Sequence, residues 1–326
     1  MNKILVTGAT SFLGYHVVKK LNERGLRPFA LVPSQSEPSD VLKRLDVEVI
    51  AGDLDNIESL QSACTGMDTV LHLSFLVSVG GGAEERMRQS NVIGTHNLVQ
   101  AASQAKVARV VVTSSVLAVG VNREKYPLDE SADWDQHRFS FPYAEIRREA
   151  EQAALAMASQ ELSVITVCPS FTLGPDDYAG APANKLIKAI IAGKLPIKVQ
   201  VGFGCLDVRD FADGMLRIAE HGRSGQRYIL NGHNVMIDDF LEQAARIAGT
   251  KPPSCTLPVW LANLLVAAIE LLSKLRGKPS PITRSVLQII NRYAWYDATL
   301  AQTELGWQPR PLVDTLTDTI AWLRLQ

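Results

Sequence analysis

Short apolar runs rich in β-branched residues recur along the first half of the chain and alternate with segments of helical periodicity. The runs read KILV, FALV, VEVI, TVLHL, RVVVTS and SVITVC. Between them, segments such as FLGYHVVKKLNERG carry apolar residues three and four positions apart, which is the spacing of one helix face. Strands that are apolar on both faces and alternate with helices are typical of a parallel sheet covered on each side. The pattern therefore predicts an α/β fold with a doubly wound parallel sheet.

The second half of the chain follows a different pattern. After residue 170, loops and helices dominate, proline and glycine become frequent, and a single further strand-like run appears as QRYILN. The sequence predicts a Rossmann-type domain over residues 1–169 and a smaller C-terminal substrate-binding lobe over residues 170–326, built on the carboxyl edge of the sheet. One strand, at about 226–231, is expected to return to the sheet of the first domain.

The segment at residues 257–277, LPVWLANLLVAAIELLSKLRG, is unusually apolar. Asn263, Glu270, Ser273 and Lys274 interrupt it before it reaches the ~20 apolar residues of a membrane span. We therefore expect no transmembrane helix but a helix that lines a pocket or an interface. Peripheral contact with a membrane is the alternative.

Composition and charge narrow the possible partners. The chain has 326 residues, 46% of them hydrophobic and 21% charged, and a formal net charge of -1. Because it has no basic block and no acidic tail, we expect a small-molecule ligand and no nucleic acid. The four cysteines are scattered without a close pair, which argues against a metal site and a disulfide framework. The first apolar run begins at Lys3 and leaves no room for a signal peptide, so a cytoplasmic location is expected.

The stretch LVTGATSFLG follows the first apolar run directly and opens the first helical pattern. In this setting Gly8 permits a tight turn, Gly14 permits close approach of helix and strand, and the helix N-terminus can hold a pyrophosphate. The position between them, often a third glycine, is Ser11, whose hydroxyl either donates a bond to the phosphates or weakens binding. The motif predicts an NAD or NADP site that includes Thr7, Gly8, Thr10, Ser11, Phe12, Leu13 and Gly14.

The residues after the second apolar run bear on the choice of cofactor. An acidic side chain there would accept hydrogen bonds from a ribose 2′-hydroxyl and repel a 2′-phosphate. The sequence has PSQ at 33–35, with Glu37 arriving late and no arginine at the turn. NADP is therefore weakly preferred over NAD, with Ser34 as a contact. Asp53 and Leu54, just past the third run, are expected to meet the adenine, although a loop or cap aspartate explains Asp53 nearly as well.

Three stretches together resemble one family. They are TGATSFLG, VVVTSS with Ser115 past the fifth run, and PYAEIRREAE with Tyr143. The chain is similar to the extended short-chain dehydrogenase/reductases, and most of all to the branch of dihydroflavonol reductases, 3β-hydroxysteroid dehydrogenases and related epimerase-like reductases. The likeness covers nearly the whole length, since further stretches in family order are NVIGTHNLVQAA, CPSFTLGP, LDVRDFADGM, GQRYILNG and TELGWQPRPL.

The resemblance implies a catalytic group and a reaction. Reduction of a carbonyl needs a hydride delivered to carbon and a proton delivered to oxygen, and in this family a tyrosine supplies the proton. That residue is Tyr143, with Ser115 orienting the substrate oxygen and Asn91 linking a proton relay. The family's lysine four residues after the tyrosine is replaced by Arg147, which keeps the charge but differs in shape and cannot readily pass a proton. We therefore expect a working site whose turnover the arginine could slow.

The resemblance also implies further contacts. Cofactor contacts beyond the glycine turn would be Leu73, Ser74, Tyr143, Arg147, Pro169, Phe171 and Thr172. A pocket for a hydrophobic ketone or secondary alcohol would be lined by Phe75, Val77, Phe203 and Trp260, and the glycines at 80–82 suggest a lid. Relatives often form homodimers through the helices at residues 84–105 and 143–160, so a homodimer is expected.

Two alternatives to a reductase remain open on the sequence. Some relatives are epimerases or dehydratases of nucleotide sugars, for which Arg209 and Arg217 could pair with a diphosphate. With Ser11 and Arg147 both departing from the family pattern, the protein could also be a cofactor-binding scaffold or sensor without catalysis. The presence of Tyr143 and Ser115 favours the enzyme.

Overall fold

The computed structural model describes residues 1–33, 40–77, 83–137, 139, 141–195, 197–276 and 284–326. Ser34 and the predicted glycine lid at residues 80–82 lie outside this part of the chain. The strands, in chain order, are β1 (Ile4–Thr7), β2 (Phe29–Val32), β3 (Glu48–Ala51), β4 (Thr69–His72), β5 (Arg109–Thr113), β6 (Ser163–Pro169), β7 (Phe171–Leu173), β8 (Ile197–Lys198), β9 (Gly202–Asp207), β10 (Arg227–Leu230), β11 (His233–Met236), β12 (Cys255–Thr256) and β13 (Tyr293–Ala294).

The α-helices, in the same order, are α1 (Phe12–Glu23), α2 (Ile57–Cys64), α3 (Ala83–Arg88), α4 (Gly94–Gln104), α5 (Trp134–His137), α6 (Pro142–Leu155), α7 (Pro182–Ile191), α8 (Val208–His221), α9 (Ile237–Ala248), α10 (Val259–Leu275), α11 (Thr299–Leu305) and α12 (Leu312–Leu323). A π turn, Gln89–Ile93, joins α3 to α4. Short 3-10 helices lie at Leu42–Arg44, Val116–Ala118 and Arg284–Ile289.

Seven strands form the main sheet in the order β10-β6-β5-β4-β1-β2-β3, and every neighbouring pair is parallel. Each of the six apolar runs overlaps one of its strands to within one residue. The order reverses direction between β1 and β4, as in a doubly wound sheet. The predicted fold class is confirmed. The seventh strand, β10, pairs with β6 and comes from the chain beyond residue 170.

Helices from both halves of the chain cover the main sheet. On one face α1 packs against α8, and the core includes Val17, Phe211 and the fully buried Trp307. The Trp307 indole donates a hydrogen bond to the carbonyl of Asp210 at 2.9 Å. On the other face α2, α4 and α6 contribute Leu60, Leu98 and Ala154. Because α8 and Trp307 come late in the chain, the C-terminal half completes the core of the first domain.

A second sheet organises the smaller lobe. It has the order β11-β9-β13, and β7 also pairs with β9. Helices α7, α9 and α12 pack around it through residues such as Ile187, Phe240 and Leu316. Beyond residue 170 the sequence pattern indicated a strand at QRYILN alone, which is β10. In this second sheet, β7 and β13 have only three and two residues, and the glycines at positions 202 and 204 interrupt the apolar pattern of β9.

Candidate active site

The carboxyl edge of the main sheet brings the predicted site segments together. The glycine turn follows β1, residues 73–77 follow β4, Ser115 lies just past β5, and residues 169–172 lie at the end of β6. Ligands of open parallel sheets bind at this edge, where the strand order reverses. The candidate active site is therefore the crevice that these four segments surround.

Gly8 and Gly14 hold the turn after β1 in a conformation that leaves no room for a side chain. Gly8 has φ +69°, and a Cβ atom there would lie 2.6 Å from the carbonyl carbon of Leu73. A Cβ atom on Gly14 would lie 2.0 Å from the carbonyl oxygen of Gly8. Real Cβ atoms do not approach backbone so closely, so both positions require glycine.

Ser11 occupies the middle position of the glycine pattern without strain. It is the N-cap of α1, with φ −72° and ψ 163°, and its Oγ accepts a hydrogen bond from the Gly14 N–H at 3.0 Å. As an acceptor, the hydroxyl keeps its own hydrogen for another partner. The N–H groups of Phe12 and Leu13 belong to the first helical turn and have no intrahelical acceptor. Two free amides, a hydroxyl and a helix N-terminus fit a pyrophosphate. Thr10 lies beside these groups and is exposed.

A buried hydrogen-bond chain ties the glycine turn to the end of β4. Thr7 Oγ1 accepts hydrogen bonds from the N–H groups of Leu73 and Ser74, each at 3.2 Å. With both lone pairs occupied, Thr7 donates its hydrogen to His72 Nδ1 at 2.7 Å, and His72 Nε2 then donates to Thr95 Oγ1 at 3.0 Å. Burial first, and then the positive charge of Arg147, lower the pKa of His72 to about 3. The imidazole is therefore a neutral structural link.

Tyr143 and Arg147 lie one turn apart on α6, which begins with Pro142 at its first position. Arg147 Nε donates a hydrogen bond to the Tyr143 phenol oxygen at 3.0 Å. Its Nη1 donates to the carbonyl oxygen of Thr113 at 3.3 Å. The guanidinium carbon lies 3.5 Å from the centroid of the Phe75 ring, and the residue is only 7% exposed. The arginine is thus held at three points.

This arrangement has a direct chemical consequence. Because Arg147 donates to the phenol oxygen, the phenol's own hydrogen is free to be donated to a ligand. A cationic donor also stabilises negative charge on that oxygen once the proton has left. Among the described residues no carboxylate forms an ion pair with Arg147, so its charge is not neutralised internally. Arg148 donates instead to the carbonyl of Ala118 at 3.4 Å, away from the phenol.

Ser115 keeps a hydroxyl hydrogen free for a ligand, whereas the Asn91 side chain is bonded to the backbone of Leu76. Ser115 Oγ accepts a hydrogen bond from the Leu117 N–H at 3.2 Å and keeps its hydrogen for a substrate oxygen. Asn91 is fully buried in the π turn, and its carboxamide bonds both the N–H (2.8 Å) and the carbonyl (2.9 Å) of Leu76. π turns are frequent at functional sites. Asn91 therefore anchors the segment that carries Phe75, and its part in a proton relay stays a prediction.

The remaining predicted cofactor contacts lie along the same edge of the sheet. Pro169 ends β6 opposite Leu230, and Thr172 donates to the carbonyl of Ser170 at 2.8 Å. At the end of β3, the Asp53 N–H donates to Ser59 Oγ. Leu54 packs against Gly94, where an added Cβ would lie 3.0 Å from the leucine Cβ. Their contacts with a cofactor stay predictions.

The predicted pocket residues are more dispersed. Phe171 and Phe203 meet edge to face, with ring centroids 5.6 Å apart, on the second sheet. Val77 is exposed, and Trp260 exposes 65% of its surface on α10. Phe75 serves as the platform for Arg147, a role that the sequence did not indicate. No local sequence signal indicates this contact, because Phe75 and Arg147 lie 72 positions apart in the chain.

Phe141 is an aromatic neighbour of Tyr143 that sequence reasoning missed. Its ring lies 5.9 Å from the Tyr143 ring and 5.7 Å from that of Phe139. These rings pack with Leu117 and Ile289 in a small apolar cluster. One side of the Tyr143 surroundings is therefore hydrophobic.

Residues 4–231 match the model of the NAD dependent epimerase/dehydratase family, and the chain belongs to this family of extended short-chain dehydrogenase/reductases. A putative dihydroflavonol 4-reductase of Synechocystis sp. is 31% identical over 98% of this chain and 94% of the relative. A 3-beta-hydroxysteroid dehydrogenase of Mycolicibacterium neoaurum is 28% identical over 95% and 87%. The crystal structure of gox2253 superimposes with a TM-score of 0.86 at 33% identity, covering 100% of this chain and 98% of that one. The family and the branch inferred from the sequence are confirmed.

Proposed function

We propose that the protein is an NAD(P)-dependent oxidoreductase that interconverts an apolar ketone and its secondary alcohol. The observation that carries the proposal is the 3.0 Å hydrogen bond from Arg147 Nε to the Tyr143 phenol oxygen. This hydrogen bond lies at the carboxyl edge of the main sheet, where Ser115 and the glycine turn are also found. The names of the reductase and dehydrogenase relatives support the same class of reaction.

In the reductive direction, a bound nicotinamide supplies the hydride that attacks the carbonyl carbon. Tyr143 donates its phenolic proton to the carbonyl oxygen, and Arg147 stabilises the phenolate left behind. Ser115 donates a hydrogen bond that orients the same oxygen. In the oxidative direction the phenolate accepts the hydroxyl proton. The N–H groups of Phe12 and Leu13 would hold the pyrophosphate.

An apolar substrate is favoured over a nucleotide sugar. The ring of Phe141 borders Tyr143, and the ring of Phe75 packs on Arg147, the partner of the phenol. Hydrophobic walls of this kind suit a molecule with one polar handle. The arginines that could have paired with a diphosphate are engaged elsewhere. Arg209 pairs with the buried Asp207 and with Asp318, and Arg217 pairs with Asp213.

The cofactor is proposed to be NADP, with NAD as the alternative. The chain has no acidic residue directly after β2, which removes the partner that a 2′-hydroxyl would have. The family name and fold are compatible with either form. Fluorescence titration with NADPH and with NADH separates the two.

The decisive experiment combines cofactor binding with turnover. Purified protein is titrated with NADPH and NADH, and steroid, flavonoid and aliphatic ketones are then added in turn. We expect saturable binding, and oxidation of the cofactor on addition of an apolar ketone. Tyr143→Phe should lower turnover by about 10²–10⁴-fold, a far larger effect than any change in cofactor affinity. The matched control is Tyr126→Phe, at an exposed tyrosine, which should change neither.

Two outcomes would overturn the proposal. Cofactor binding without oxidation across the whole panel would indicate a binding scaffold rather than an enzyme. A rise in melting temperature with UDP-glucose, and none with apolar ketones, would favour the epimerases and dehydratases of the family.

A further inference from the structure

Helix α10 exposes an apolar surface that nothing in the described structure covers. Trp260, Leu264, Leu271 and Leu275 expose 65%, 60%, 59% and 77% of their surface. Four further large apolar residues on the same helix are exposed, which are Leu265, Ile269, Leu272 and, at its start, Val259. Contiguous apolar patches of this kind on a soluble fold mark interaction surfaces.

The exposed residues form one broad face. Trp260, Leu264, Leu271 and Leu275 are separated by four, seven and four residues, so they follow one line along the helix. Leu265, Ile269 and Leu272 extend this line to about half of the circumference at 100° per residue. The inner side is narrow, with Ala262 and Val266 buried. We call the exposed half the apolar face of α10.

The length of α10 determines how it could meet a bilayer. Its 17 residues span ~25 Å at 1.5 Å per residue, less than the ~30 Å hydrocarbon core. No helix in the described part of the chain is long and apolar enough to cross a membrane. An apolar face of this kind suits a helix that lies in the plane of the membrane interface.

The sequence of α10 and the segment that follows it carries an excess of positive charge. Between residues 257 and 292 the sequence has five basic residues and one acidic residue, Glu270, in a chain of net charge -1. Arg276 is exposed at the end of α10. Further along, burial and then the charge of Arg123 lower the pKa of Arg292, and Lys125 lies 5.7 Å from the ring of Tyr293.

Within the part of the chain that the structure describes, these charges are not balanced. No described carboxylate forms an ion pair with Arg123, Lys125 or Arg292. The negative surface of an anionic bilayer attracts basic residues of this kind, each by about 1 kcal/mol near the surface. Two copies of the chain, by contrast, would bring two positive faces together.

We propose that the apolar face of α10 docks on the surface of an anionic lipid membrane. The leucines and Trp260 would enter the boundary between headgroups and acyl chains, and the basic residues would lie against the headgroups. A stable dimer usually buries about 800 Å² on each partner, more than one short helix face supplies.

The face also connects to the candidate active site. The 3-10 helix Arg284–Ile289 packs against α10. Its last residue, Ile289, belongs to the apolar cluster of Phe139 and Phe141, and Phe141 is the ring next to Tyr143. An apolar molecule dissolved in the bilayer would thus have a hydrophobic route to the tyrosine. Docking itself does not depend on turnover, so it can be tested without a substrate.

The test is flotation of the purified chain with vesicles of phosphatidylcholine alone and with vesicles that also contain phosphatidylglycerol. We expect the wild type to float with the anionic vesicles, and added salt to weaken its binding. The variant Leu264→Asp/Leu271→Asp should lose at least about tenfold in vesicle affinity. The matched control Val313→Asp/Leu325→Asp, at exposed apolar residues outside α10, should bind like the wild type.

A second measurement, on the wild type and a different variant, does not depend on the folding of the Leu264/Leu271 variant. Anionic vesicles should shift the tryptophan emission of the wild type to shorter wavelength, and Trp260→Phe should remove that shift. Failure of the wild type to bind, or equal binding by the wild type and the Leu264/Leu271 variant, would overturn the proposal. A concentration-dependent dimer that the same variant abolishes, without vesicle binding, would assign the face to a second copy instead.

Discussion

Replacement of Phe75 by leucine should release Arg147 from one of its three points of support. The guanidinium lies 3.5 Å from the ring centroid and is almost fully buried, and a desolvated cation–π contact is worth ~2 kcal/mol. Leucine keeps an apolar side chain but has no ring quadrupole. The free energy of unfolding should therefore fall by about 2 kcal/mol. If the Nε bond to Tyr143 loses its alignment, kcat should fall about tenfold, equivalent to ~1.4 kcal/mol.

A double-mutant cycle isolates this contact from the general effect of a smaller side chain. The variants are Phe75→Leu, Arg147→Met and the double variant, and methionine preserves length without charge. Urea unfolding followed by circular dichroism gives the four free energies of unfolding, and no substrate is needed. We expect a coupling of about 1–2 kcal/mol. Effects that add to within about 0.5 kcal/mol would refute the idea that the ring holds the arginine.

Three further predictions concern other parts of the structure. Gly14→Ala should abolish cofactor binding in a fluorescence titration or prevent folding, because its Cβ would lie 2.0 Å from the Gly8 carbonyl oxygen; normal affinity would contradict the fold of the turn. Burial lowers the pKa of His72 to about 3. Between pH 6.5 and 3 the unfolded chain therefore binds a proton at this residue that the folded chain does not bind. The free energy of unfolding should fall as the pH drops below 6.5, by ~1.4 kcal/mol per pH unit from this residue. In urea unfolding at several pH values, His72→Gln should show a shallower fall, and an unchanged slope would argue against a neutral buried imidazole. Glu151→Gln should cost about 3–5 kcal/mol, because it removes the carboxylate from buried Arg227, which donates to it at 2.5 Å; a change below about 1 kcal/mol would mean that the pair is solvated.

The main sheet was predictable because its strands carry a strong local signal. Runs such as RVVVTS are apolar on both faces and rich in β-branched residues, and each became a parallel strand. The relation of Tyr143 to Arg147 was also readable, because residues four apart on a helix share a face. Both features depend on neighbours in sequence.

The features that sequence did not reveal depend on tertiary packing. Nothing in the chain around Phe75 indicates that its ring will support an arginine 72 positions away. The two hydrogen bonds of Asn91 to Leu76 require the π turn, which has no distinct sequence signal here. The placement of Trp307 against Asp210 likewise brings together distant parts of the chain.

The pairing of β10 with β6 constrains how the chain can fold while it is being synthesised on the ribosome. Until β10 has been synthesised, β6 is an open edge with the apolar run VITVC unpaired on one side, and such edges invite aggregation. Glu151, on α6 beneath it, would also lack Arg227. Nascent chains that stop near residue 169 should therefore depend on chaperones and be open to proteolysis. An expression fragment cut at that point would contain every strand around the cofactor turn and still lack the edge that closes the sheet.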